Sequence, residues 1–202
     1  MKTGEALWDR FLSERNKFDA GGKSMMVLSH SIGLLREALK SYDSSSPNAT
    51  ALLCRATVET AGYLFLTRRK GPGALVYDLD PPRTLAGAIR EVSFEEIKGG
   101  LVRTGVLSDT LLAAVSRIQV DGNFVAHLAA KQDRELDRAF TELHTKVKLG
   151  DFSPAISRME ISQDEARQDL EDTVETVLAI GRGVIRQFEE SARESTRSGT
   201  RS

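Results

Sequence analysis

A chain of 202 residues with 40% hydrophobic content suffices for one core, or for two small domains at most. Its 28 Lys and Arg against 29 Asp and Glu leave a net charge of -1, which excludes a chain-wide positive field for gripping nucleic acid, so any basic patch is local. The single cysteine, Cys54, excludes an intramolecular disulfide and a Cys-rich zinc site, and it fits a reducing compartment. No apolar run approaches the roughly 18 residues of a membrane span, and charges interrupt the first fifteen residues where a signal peptide would need an apolar stretch. These features predict a soluble, cytoplasmic protein that makes no membrane contact.

Aromatic residues make up only 6% of the chain and proline occurs 5 times, while apolar residues recur at three and four spacings, so the expected fold class is all-α. Residues 3–19 place Leu7, Trp8, Phe11 and Leu12 on one side of an amphipathic helix. After Gly21-Gly22, Leu28, Ile32, Leu35 and Leu39 mark a second helix that ends at Ser44-Ser45-Ser46-Pro47. The segment from Asn48 to Thr67 is apolar nearly all the way round apart from Arg55 and Glu59, the pattern of a central helix. Those two charges stand one turn apart, where they can pair with each other or be aimed together at a site.

Residues 71–83 are too rich in Gly and Pro for a helix, and Ala74-Leu75-Val76-Tyr77 within them suits a small strand or a packed loop. Helical spacing resumes at Thr84 with Leu85, Ile89 and Val92, runs on through Phe94, Ile97 and Leu101, and pauses at Gly105. A helix over 108–131 follows, with Ser108 or Asp109 as its N-cap and Leu111, Val115 and Ile118 along one stripe. Another spans Asp133 to Lys148, and residues 150–161 read as a linker. Ser162 and Glu165 spell a capping box for a last helix carrying Leu170, Val174, Val177, Val184 and Phe188. From residue 189 the apolar stripe is lost and a frayed or disordered tail is expected. The resulting plan has N-terminal helices over 1–45, a helical domain over 46–188 and a tail over 189–202.

The chemistry is sought in the histidines, because an imidazole titrates near neutral pH. His30 and His144 stand in charged surroundings that suit solvated roles. His127 differs, since Asn123 precedes it by four residues and so shares its helix face. An amide can orient an imidazole or hold a phosphate oxygen while the imidazole moves protons, which suits cleavage of a phosphodiester by a neighbouring ribose hydroxyl. That chemistry also needs a cation against the negative charge of the transition state, a role arginine fills well. Arg117 lies about 80° round the helix from His127, while Lys131 and Arg134, four and seven residues on, share its face. A plainer reading stands beside this one: Gly122 allows two helices to approach, Asn123 bonds the backbone, and His127 is an internally bonded core residue. The chain has no phosphate-binding glycine loop, zinc-binding His pair, nucleophile elbow or dinucleotide fingerprint, so neither a cofactor nor a metal is expected.

Residues 84–90, 105–108 and 121–127, together with Ala51 to Glu59, resemble a family of uncharacterised bacterial helical domains placed in the HEPN superfamily. The motif of the resemblance is Gly122-Asn123 followed by His127, and by element order it extends over residues 48–188. It implies an antiparallel bundle of HEPN type, with additional N-terminal helices in this chain. It further implies a homodimer that brings two motifs into one cleft, and a place in RNA-linked or defence systems, alone or with a protein partner. Active members use His and Arg for metal-independent RNA cleavage, with a polar residue after the Arg positioning them. This chain has Gly122 where an active nuclease carries that Arg, and Gln119 where many relatives of the uncharacterised family carry one. The resemblance therefore implies a catalytically degenerate module that binds RNA or a nucleotide, with Arg55, Arg117, Lys131 and Arg134 as its cations. The alternatives are an endoribonuclease using His127 and Asn123, and a helical scaffold that binds protein.

Overall fold

The computed structural model describes residues 2–70, 74–77, 83–84, 92–126 and 161–199. Among these residues the fold is helical, with seven helices: α1 (Thr3–Phe18), α2 (Lys23–Val27), α3 (Ser29–Asp43), α4 (Pro47–Leu66), α5 (Phe94–Arg103), α6 (Asp109–Ala126) and α7 (Gln163–Gly199). A small antiparallel sheet, β1 (Thr67–Lys70), β2 (Ala74–Tyr77) and β3 (Arg83–Thr84), lies in sequence between α4 and α5. It pairs Thr67 with Tyr77 and Val76 with Thr84. None of the helices among the described residues is long and apolar enough to cross a membrane.

The position of α4 follows from its composition. A helix that is apolar on most of its circumference must be covered on most of it, and α4 packs against α3, α5, α6 and α7. Cys54, Val58, Ala61 and Phe65 sit in one continuous core with Leu35 and Leu39 of α3, Ile97 and Leu101 of α5, Val115 and Ile118 of α6, and Leu170, Val174 and Val177 of α7. Leu7 and Phe11 of α1 join the same core. At Gly62 the α4 backbone meets α5 so closely that a Cβ would stand 2.3 Å from Ile97 Cγ2.

Helix starts follow their caps. The Ser162–Glu165 box forms, with the Glu165 amide donating to Ser162 Oγ at 3.2 Å and the Ser162 amide donating to Glu165 Oε2 at 2.9 Å. Ser108 caps α6, accepting from the Leu111 amide at 3.3 Å. Three features differ from the sequence expectation. Thr84 belongs to β3, α5 starts at Phe94 behind a capping box of Ser93 and Glu96, and residues 85–91 of the expected helical run lie outside the described residues. The expected helix through Leu28 is two helices, with Leu28 itself off helical geometry between them (φ -96°, ψ 14°), and Asp19 caps the start of the short α2 through the Lys23 and Ser24 amides at 2.8 and 2.7 Å. Burial pushes the Asp19 carboxyl up, and the bonds from Ser24 and Lys23 outweigh it and hold it below its ordinary range. Finally, the tail expected from residue 189 is helical to Gly199. It has exposed side chains at 189–193 and helix-internal bonds from Ser191 Oγ to Gln187 and from Thr196 Oγ1 to Ala192. The expected helix over 133–148 and the linker over 150–160 lie outside the described residues.

Gly62→Val places two methyl groups against Ile97, and overpacking of this kind costs about 2–3 kcal/mol. Urea denaturation is expected to show a lower midpoint with an unchanged slope.

Candidate functional site

The last turns of α6 carry the residues singled out in the sequence, and the helix distributes them over different neighbours. Gly122 is buried against α4, where the stem of Arg55 lies across it: a Cβ at position 122 would stand 2.4 Å from Arg55 Cβ and 2.6 Å from Arg55 Cδ. The crossing has no room for a side chain at position 122. Next to it, Phe124 and Val125 pack on Ala51, Ile161 and Ala166, which holds the end of α6 against α4 and α7. Asn123, between these contacts, is partly buried.

The structure thus brings Arg55 to the Gly122–Asn123 step, although the two lie on different helices. The guanidinium of Arg55 sits over the Phe94 ring, 5.9 Å from its centroid, and pairs with Glu59 at 3.7 Å. The side chain keeps 25% of its exposure, while its Nε is buried without a hydrogen-bond partner. The i,i+4 pairing anticipated for Arg55 and Glu59 is therefore formed.

Arg117 points elsewhere. Five residues before Gly122 correspond to about 140° round the helix, and this turns Arg117 toward α7. Its Nε donates to Asp169 Oδ1 at 3.1 Å and its Nη2 to Asp172 Oδ2 at 2.5 Å. Burial works against the charge of Arg117, and the bond to Asp172 and the charges of Asp169 and Asp172 outweigh it, so the guanidinium is held more firmly protonated than usual. Expected to serve as a cation beside the motif, this residue is instead a clamp between two helices. Gln119 accepts from Lys98 Nζ of α5 at 3.2 Å.

His127, Lys131 and Arg134, the remaining members of the expected site, lie outside the described residues, as does His144. His30 is exposed on α3. Burial pushes the Cys54 thiol up to about 12, which makes it a packing residue rather than a nucleophile. Among the described residues no group of His, Cys, Asp and Glu converges on a metal position. A groove of about 500 Å³ opens between α1 and α3 with Trp8, Arg36, Lys40, Asp9 and Asp43 on its walls, and no residue of α6 lines it.

The sequence reading overlooked the acidic partners of Arg117. Asp169 is fully buried, Asp121 is 3% exposed, and the Asp172 side chain is 20% exposed. A signal for them existed: Asp169 and Thr173 interrupt the apolar stripe formed by Ala166, Leu170, Val174 and Val177, and a carboxylate in such a stripe requires a partner. Burial and the charge of Asp121 push the Asp169 carboxyl up to about 7, against the opposing pull of Arg117.

Comparison with family models, with curated proteins and with solved structures finds no match for the chain.

Arg117→Leu removes the only bonds that tie Asp169 and Asp172 to α6 through this guanidinium. Breaking a fully buried pair costs about 3–5 kcal/mol. Because the Arg117 side chain is 38% exposed and therefore solvent-screened, the expected loss is smaller, about 1–3 kcal/mol, read from urea unfolding at neutral pH.

Proposed function

We propose that this chain is a HEPN-like helical module that binds RNA or a nucleotide without cleaving it, as a homodimer in an RNA-linked or defence-associated system. The observation that carries the reading is the state of the arginines around the motif. Arg117 is committed to Asp169 and Asp172, and the position before Asn123 is closed to any side chain by the stem of Arg55. Stabilising a phosphorane needs a cation placed where charge develops, and Arg117, held by two carboxylates, is poorly suited to move there. Arg55, whose stem crosses Gly122, retains a partly exposed guanidinium, suited to holding a phosphate through charge and a planar donor fork. By their spacing in the sequence, His127, Lys131 and Arg134 are the further residues proposed to contact the anion.

A second reading, a scaffold that binds protein, is favoured by Val120, which is 63% exposed on the same helix. The two differ in salt response, because phosphate contacts strengthen steeply as salt is lowered.

Labelled single-stranded RNA titrated at low salt, in chelator, is expected to bind and remain intact. Arg55→Ala should weaken binding roughly 5- to 30-fold, the effect of about 1–2 kcal/mol for one charged contact, and Arg55→Lys should recover part of it. Products with cyclic phosphate ends, lost in His127→Ala, would instead establish the endoribonuclease. No binding even at low salt would leave the scaffold. Light scattering is expected to give twice the chain mass at micromolar concentration, and a monomer there would count against a shared cleft.

A further inference from the structure

We propose that Asp169 is a buried proton acceptor whose ionisation sets how firmly α6 packs on α7, so that the helix carrying Asn123 is held in place by a pH-sensitive contact. Asp169 is fully buried, and its two carboxyl oxygens differ. Oδ1 accepts from Arg117 Nε at 3.1 Å, while Oδ2 is buried without a hydrogen-bond partner. A bare buried carboxylate oxygen carries a desolvation cost far above that of a neutral carboxyl group. A proton on Oδ2 removes the charge and leaves the bond from Arg117 to Oδ1 intact.

The groups around it reinforce this preference. From α6 come Arg117 and Asp121, the latter 3% exposed, and from α7 comes Asp172, which takes the other arm of Arg117. From α4 come the neutral thiol of Cys54, which feels the charge of Asp169, and next to it in sequence Arg55, whose guanidinium is turned to Phe94 and Glu59. Arg117 is bonded to Asp169 and Asp172, and the charge of Asp121 acts on Asp169 from a position equally removed from water. With Asp169 ionised, Asp121 and Asp169 repel each other across the α6–α7 seam where little solvent screens them. With Asp169 protonated, that repulsion vanishes.

The direction of the pH effect follows. The carboxyl titrates at about 7 in the fold against an ordinary 3.8, so between these values the folded chain holds a proton that the unfolded chain has released. Stability then falls as pH rises through this window, and the loss is complete above about 7. This holds whether or not the chain binds RNA.

The test is carried out on the full chain. Carbon-13 NMR of the aspartate carboxyl carbons, with the signal assigned through Asp169→Asn, is expected to show one midpoint close to 7. Urea midpoints at pH 5.5 and 8 should fall with rising pH in the unaltered protein and converge in Asp169→Asn. Should Asp169→Asn fail to fold, Asp121→Asn serves in its place and is expected to lower the Asp169 midpoint and shrink the pH dependence. An Asp169 midpoint in the ordinary carboxyl range overturns the proposal. So does a pH dependence that survives Asp169→Asn, or one that Asp121→Asn leaves unchanged.

Discussion

The arrangement depends on covering α4. A twenty-residue helix with apolar side chains on most of its circumference cannot remain on a surface, and four other helices enclose it. The close-packed interior then dictates side-chain size at the crossings. Gly62 admits Ile97, and Gly122 admits the stem of Arg55. The second crossing leaves no room for a side chain at position 122 of α6, because an arginine arriving from α4 fills that space.

The seam between α6 and α7 uses a different kind of contact. Most of the core is apolar, yet Asp121, Asp169 and Arg117 meet inside or at the edge of it. Buried ion pairs contribute little net stability compared with apolar packing of the same shape, but removing one partner is costly. Such a contact therefore specifies the rotation of α6 about its axis more than it strengthens the fold. That rotation directs Arg117 to α7 and Gly122 to α4, where the stem of Arg55 crosses it. The acidic surroundings of Arg117 make it a poor ligand for a phosphate backbone, whereas Arg55, stacked on Phe94 and paired at 3.7 Å with Glu59, is less fully committed.

Local signals were most legible where backbone donors had to be satisfied. The Ser162–Glu165 box and the Ser108 cap appear where the sequence places them, because a free amide at a helix start selects a side-chain acceptor only a few residues away. Periodicity alone was less dependable. The spacing predicts a helix from Thr84, but Thr84 pairs with Val76 in a sheet, while Leu85 and Ile89 lie outside the described residues. The stripe through Leu28 suggested one helix where Asp19 caps a separate short one. Loss of the apolar stripe after Phe188 suggested disorder, whereas helix-internal bonds carry α7 on to Gly199.

The sequence by itself determined the helical class, the central place of α4 and most helix starts, because each depends on residues within a few positions of one another. Only the tertiary structure decided that Arg55 crosses Gly122 and that Arg117 belongs to Asp169 and Asp172, partners 52 and 55 residues away. Contacts at that separation depend on how helices rotate and cross once the core closes, and neither spacing nor composition encodes that rotation for a single helix taken alone.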